Sequence, residues 1–134
     1  MRVLIIDGQG GGLGRQLVGA VKARFPEVEV LAVGTNSAAT NAMLRAGADQ
    51  AATGENSVAV ASKRADVIIG PVGIVIADSM LGEITPQMAL AVGQSPAKRI
   101  LIPVNFCDNI IVGVTETSMT KNVENAVDAL ARLI

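Results

Sequence analysis

A chain of 134 residues, half of them apolar, has room for one hydrophobic core and hardly for a second. Its formal net charge is −1 and no block of Lys and Arg interrupts it, which argues against nucleic acid as a partner. There is no His and no Tyr, so the usual neutral-pH base and the phenolic acid are both missing; one cysteine, Cys107, excludes an internal disulfide and leaves a zinc site almost nothing to build on.

The longest apolar run, Val67 to Ala77, is interrupted by Gly70, Pro71 and Gly73 and is too short to span a bilayer. Met1-Arg2 and the four apolar residues after them fall far short of a signal peptide, so a cytoplasmic protein without membrane attachment is expected. High apolar content with few charges leans towards a homo-oligomer.

In chain order, residues 2–7 read as a strand and 12–25 as a helix stopped by Pro26, with Leu13, Leu17, Val18, Val21 and Phe25 on one face. Val28 to Val33 is a second strand. Thr35, Asn36 and Ser37 then offer N-caps for a helix ending at Gly47. Gln50 to Thr53 is short and extended, a helix follows over Glu55–Arg64, and Asp66 to Gly70 is the next strand. Residues 72–81 fit either a strand or a buried helix. Pro86 starts a helix running to about Val92. Arg99–Val104 and Asn109–Val114 read as strands, and a last helix from about Thr120 carries Val123, Ala126, Val127, Leu130 and Leu133 on one face.

This alternation predicts a single three-layer, Rossmann-like α/β domain over residues 1–134, with a mostly parallel sheet. The last two strands are too close for a crossover, so they are expected to form an antiparallel hairpin at the C-terminal edge.

Five glycines crowd the first turn, in Asp7-Gly8-Gln9-Gly10-Gly11-Gly12-Leu13-Gly14-Arg15. Ordering so many glycines costs backbone entropy, and what it provides is bare N–H groups at a helix N-terminus, the usual seat of a phosphate. The other strands end in Thr35-Asn36-Ser37, Thr53-Gly54-Glu55-Asn56, Gly70-Pro71-Val72-Gly73 and Asn105, all small or polar, at the sheet edge where open α/β folds bind ligands. Each taken alone is ordinary loop chemistry.

Arg15 opposes the helix dipole at a cost of about 0.3–1 kcal/mol, a sign that a bound phosphate reverses; an exposed arginine paired to a carboxylate is the plain alternative. Asp7 would repel a phosphate, which leaves three readings: a Mg²⁺ bridge, a cap on the glycine-loop amides, or a ligand other than a dinucleotide. Under the Mg²⁺ reading, Asp7, Asp78, Glu55 and Glu83 are metal or base candidates. Glu55 fits a helix cap, and Glu83 either reaches the crevice or caps. Cys107 lacks a histidine to activate it and is read as inert, with redox sensing as the other use.

Gly8, Gly12, Leu13 and Gly14 match Gly-x-x-x-Gly-Leu-Gly, which resembles the cofactor turn of short-chain dehydrogenases/reductases over about 30 residues. The family's Tyr-x-x-x-Lys is absent, and Thr35, Asn36 and Ser37 stand where an acidic residue would meet an NAD ribose. Those residues tolerate a 2′-phosphate better than Asp does, though no arginine is placed by the sequence to grip one. A P-loop fits less well, with Gln9, Arg15 and Gln16 at its Gly, Lys and Ser/Thr positions.

Over nearly the whole length, runs such as Ile6–Gly14, Gly34–Ser37, Ala52–Asn56, Gly70–Ile74, Ser79–Pro86 and Ile102-Pro103 resemble a small family of uncharacterised bacterial proteins, a domain of unknown function. That resemblance implies a stand-alone protein of this size and carries no activity with it. The residues therefore favour a binding or regulatory module for a nucleotide or other phosphorylated metabolite, with NADP first and an adenine nucleotide with Mg²⁺ second. A small carboxylate-based phosphoryl-transfer enzyme or reductase, and a structural assembly protein, remain the alternatives.

Overall fold

The computed structural model describes residues 1–104, 108–115 and 118–134. Five strands form one sheet in the order β3-β2-β1-β4-β5, with β1 at Arg2–Asp7, β2 at Glu29–Gly34, β3 at Gln50–Thr53, β4 at Val67–Pro71 and β5 at Lys98–Ile102. All four pairings are parallel. The helices between them are α1 (Gly12–Arg24), α2 (Ser37–Arg45), α3 (Glu55–Arg64), α4 (Pro86–Gln94) and, at the end, α5 (Met119–Ala131).

The burial pattern explains the architecture. Val3, Leu4, Ile5 and Ile6 are fully buried, so both faces of the central strand need cover. Val3 and Ile5 pack with Leu17, Val18 and Val21 of α1, Met43 of α2 and Val123, Val127 and Leu130 of α5. On the opposite face Leu4 and Ile6 meet Val58 of α3 and Met88 and Val92 of α4, together with Ile74, Met80 and Ile84. The result is three layers, as the alternation of strands and helices implies.

The element boundaries follow local chemistry. Asn36 caps α2 by accepting from Ala39 N–H, Thr85 caps α4 through Met88 N–H, and Pro86 occupies the first helical position. The ambiguous stretch resolves into a short 3-10 helix over Val72–Val75, followed by turns. β1 and β2 run in register from Arg2 opposite Glu29 to Asp7 opposite Gly34, which brings the ends of both strands to one level.

One expectation is corrected. The antiparallel edge hairpin is not formed: the sheet is all-parallel, and residues 109–114 contain no strand and lie exposed. An apolar, β-branched run has strand character only when a strand edge is paired with it, and here no described strand pairs with these residues.

Candidate functional site

The crossing from β3 through α3 to β4 reverses the direction in which the sheet is built, so the switch point lies between the ends of β1 and β4. The glycine turn leaves β1 at that place. Gly11 is the N-cap of α1 in the left-handed region, at φ 75°. A Cβ there would stand 2.8 Å from the Ala39 Cα, so both backbone conformation and helix packing demand glycine. Gly10 and Gly12 differ: a Cβ on either would face open space.

Asp7 is 4% exposed and spends both carboxylate oxygens on the turn, accepting from Gly8 N–H at 2.8 Å and from Gly14 N–H at 2.6 Å. Of the three readings of this residue, the amide cap is the one these contacts describe. Burial pushes its carboxyl above the usual Asp range; the Gly14 and Gly8 bonds pull against that rise, and the negative charge of Glu83 adds to it. Among the described residues no carboxylate, Cys or His cluster has the makings of a metal site.

Glu83 reaches the crevice. Its Oε1 accepts from Gln9 N–H at 2.8 Å, from the Thr35 hydroxyl at 2.5 Å and from Asn36 Nδ2 at 2.8 Å. The Thr35 hydroxyl does most to hold this carboxyl below the usual Glu range, with Gln9 and Asn36 assisting against the opposing effect of burial. Asn36 Nδ2 also donates to Gln9 O at 2.8 Å, so the first and second strand ends are stitched directly. The acid that the sequence lacks at the end of β2 is thus supplied from a loop 48 positions further along.

That loop, residues 76–85, is closed by Asp78 N–H to Ile84 O at 2.8 Å and by Ser79 Oγ donating to Gly73 O. Asp78, Met80 and Leu81 have positive φ, as does Gly82, an unusual density of left-handed backbone for residues of which three carry a Cβ. Met80 is buried against the core and Leu81 is wholly exposed.

On the side of the turn facing α2, Gly10, Gly12, Arg15, Ala42, Arg45 and Ala46 line a cavity of about 490 Å³. Neither guanidinium forms an ion pair among the described residues. Sequence reasoning missed Arg45, because a basic residue in the last turn of a helix is ordinary dipole chemistry. Its spacing from the glycine turn is set by the packing of α1 on α2.

The other sequence candidates are placed as follows. Ser37 opens α2 and is exposed. Thr53 pairs with Thr40 Oγ1 at 2.7 Å, Gly54 N–H donates to Gly34 O, and Glu55 accepts from the Thr85 hydroxyl at 2.6 Å, which ties α3 to the start of α4. Asn56 faces a separate groove of about 310 Å³ between α3 and β3. Gly70, Pro71 and Gly73 are buried, and Gly73 O accepts from Ser79 Oγ of the 76–85 loop. Asn105 and Cys107 lie outside the described residues.

Fold and site together define a doubly wound α/β domain of the Rossmann-like class, with a glycine turn at its switch point. The chain belongs to the family described as a domain of unknown function, DUF3842, whose model matches residues 2–134. No curated protein matches the sequence. Among solved structures, it is similar to a dodecameric FMN-dependent UbiX-like decarboxylase from Escherichia coli O157:H7, at 19% identity and a TM-score of 0.48, covering 99% of this chain and 76% of that one. No helix among the described residues is long and apolar enough to cross a membrane.

Proposed function

We propose that the protein binds a phosphorylated small molecule, a nucleotide in the first place, with its phosphate at Gly10, Gly12, Arg15 and Arg45. The observation that carries this reading is the cavity at the start of α1, where two guanidiniums without ion pairs meet the unsubstituted face of the glycine turn. Helix N–H groups and paired arginines are the two groups that recognise phosphoryl oxygens best.

Asp7 supports the same reading by what it leaves open. It occupies Gly8 and Gly14 N–H, while the first helical N–H groups, those of Gly12 and Leu13, keep the orphan-donor character of any helix start. Of the nicotinamide dinucleotides, Thr35, Asn36 and Ser37 favour the NADP form, whereas Glu83, held against Thr35 and Asn36, favours a ribose with free hydroxyls. The reading is of a binding or regulatory module: the described residues offer no nucleophile–base pair.

Native mass spectrometry of the full chain, as purified and with NADPH, NADH, ATP–Mg²⁺ or FMN (the cofactor named for the structural neighbour), tests this. A selective adduct that weakens at least tenfold in Arg15→Ala/Arg45→Ala is the expected result, since a charge-assisted contact contributes about 1.5–3 kcal/mol. A bare mass under every condition overturns the nucleotide reading.

A further inference from the structure

Residues 76–85 join the 3-10 helix to α4, and their tip lies over the start of the glycine turn. The base of this loop is firm. Asp78 N–H donates to Ile84 O and Ile84 N–H to Ser79 O, and Ser79 and Ile84 are each 1% exposed. The tip, Met80–Glu83, is attached differently. Its backbone bonds stay within the loop, from Gly82 N–H to Asp78 O and from Glu83 N–H to Met80 O. Two side chains fasten it to the rest of the molecule: Met80 in the core, and Glu83 on the ends of β1 and β2.

The shut tip works against itself in two ways. Met80, Leu81 and Gly82 are left-handed in succession, at φ 57°, 56° and 87°, and two of them carry a Cβ, so this conformation stores strain that its two anchors must outweigh. Glu83 is held by neutral donors and forms no ion pair among the described residues, while its negative charge pushes the nearby Asp7 carboxyl further up. Gly8 shows how closely the tip is laid down. Its backbone is not left-handed, yet a Cβ there would come within 2.8 Å of Met80 Sδ, 3.1 Å of Glu83 Oε1 and 2.7 Å of Thr35 Oγ1. Glycine at this position is required by the tip and Thr35, not by the conformation of the turn.

We infer that Met80–Glu83 is a latch on the crevice with Glu83 as its bar, and that it swings out about the firm base without unfolding the domain. Shut, it spends Gln9 N–H, the Thr35 hydroxyl and the Asn36 amide on the chain's own carboxylate. That is an autoinhibitory contact against a ligand bringing a second anionic group to the end of β2. Open, it hands over all three donors. No residue of the tip lines the cavity of Gly10, Gly12, Arg15 and Arg45, so the latch governs the rest of the ligand and not the docking of its first phosphate. The autoinhibition rests on the nucleotide reading; the motion does not.

Methionine oxidation by dilute hydrogen peroxide, mapped on peptides of the folded full chain, reads the motion. Met43 and Met88, 0% and 4% exposed, are the buried references, and Met119, 40% exposed, reports free access. Met80 is also 4% exposed, yet through local opening it should oxidise at least about tenfold faster than Met43 and Met88. Glu83→Ala should speed Met80 about tenfold more, the loss of one charge-assisted hydrogen bond after solvent compensation. Gly8→Ala, which wedges the tip, should speed it as well. Native mass spectrometry with NADPH reads the autoinhibition: Glu83→Ala should bind it about tenfold more tightly than wild type. Met80 oxidation no faster than that of Met43 and Met88, or unmoved by Glu83→Ala, overturns the latch whatever binds. Equal NADPH affinity in the two proteins overturns the autoinhibition, and an adduct that still weakens in Arg15→Ala/Arg45→Ala then leaves the nucleotide reading standing. No NADPH adduct with either protein overturns the autoinhibition too.

Discussion

Replacing Glu83 by alanine removes the one acceptor shared by Gln9 N–H, the Thr35 hydroxyl and the Asn36 amide. Hydrogen bonds to a charged group contribute about 1.5–3 kcal/mol each when buried. Glu83 is only half-buried and Gln9 N–H is exposed, so water replaces much of what is lost. We expect a net destabilisation of about 1–2 kcal/mol at pH 7, a fall in Tm on the order of 3–10 °C for a domain of this size. The pH dependence is the sharper signature. The folded pKa of Glu83 lies below its ordinary value of 4.5, so its stabilisation is complete above that value and is lost as pH falls through the folded pKa. Urea denaturation of wild type and Glu83→Ala should therefore show a constant gap from pH 7 to about 5 that closes below about 4. The gap between wild type and Glu83→Gln, which keeps an oxygen but no charge, should close over the same window, because the group that titrates is the wild type's carboxyl. Equal stability at pH 7, or a gap unchanged down to pH 3, would refute the reasoning.

Gly11→Ala meets both a left-handed backbone and the Ala39 Cα, and should cost about 2–4 kcal/mol in the same denaturation assay. Gly12→Ala, in open space at the first helical position, should leave stability equal or raised by up to about 1 kcal/mol. Gly12→Val should fold yet lose any nucleotide adduct in native mass spectrometry; retention of the adduct would place the phosphate elsewhere. Asp7 titrates with the opposite sign to Glu83: its raised folded pKa means that ionising it costs stability as pH climbs through the window between the ordinary and folded values. The wild-type profile between pH 4 and 7 should accordingly rise towards acid more than that of Asp7→Ala.

Most of the fold was legible from the sequence because its signals are local. Val3–Ile6 is a continuous aliphatic run, Pro86 and Asn36 mark helix starts, and Gly47 follows the end of α2. Residues 109–114 misled for a physical reason. Their composition has strand character, but pairing is a property of two segments, and whether a sheet edge is offered to them is not written in their own residues. The glycine turn was legible as a motif, whereas its surroundings were not. Glu83 arrives through a loop whose shape depends on Met80 entering the core and on four left-handed residues, two of which, Met80 and Leu81, have no compositional mark of that conformation. Arg45 comes to the turn by helix packing, which nothing in residues 35–47 announces.

The contacts of Asp7 have a consequence for recognition. A run of glycines is normally a floppy receptor, and a guest that must order it loses affinity to the ordering. Here both carboxylate oxygens pin the run at its two ends, on Gly8 and Gly14, across a left-handed residue that only glycine accepts. The conformational freedom of the turn is surrendered when the chain folds, not when a guest arrives. Association at this turn should thus proceed as docking onto a rigid rim, with a small entropy change and a rate set by encounter. Loosening Asp7 would shift that ordering cost from folding onto binding, and would be read as weaker affinity with the contact chemistry intact.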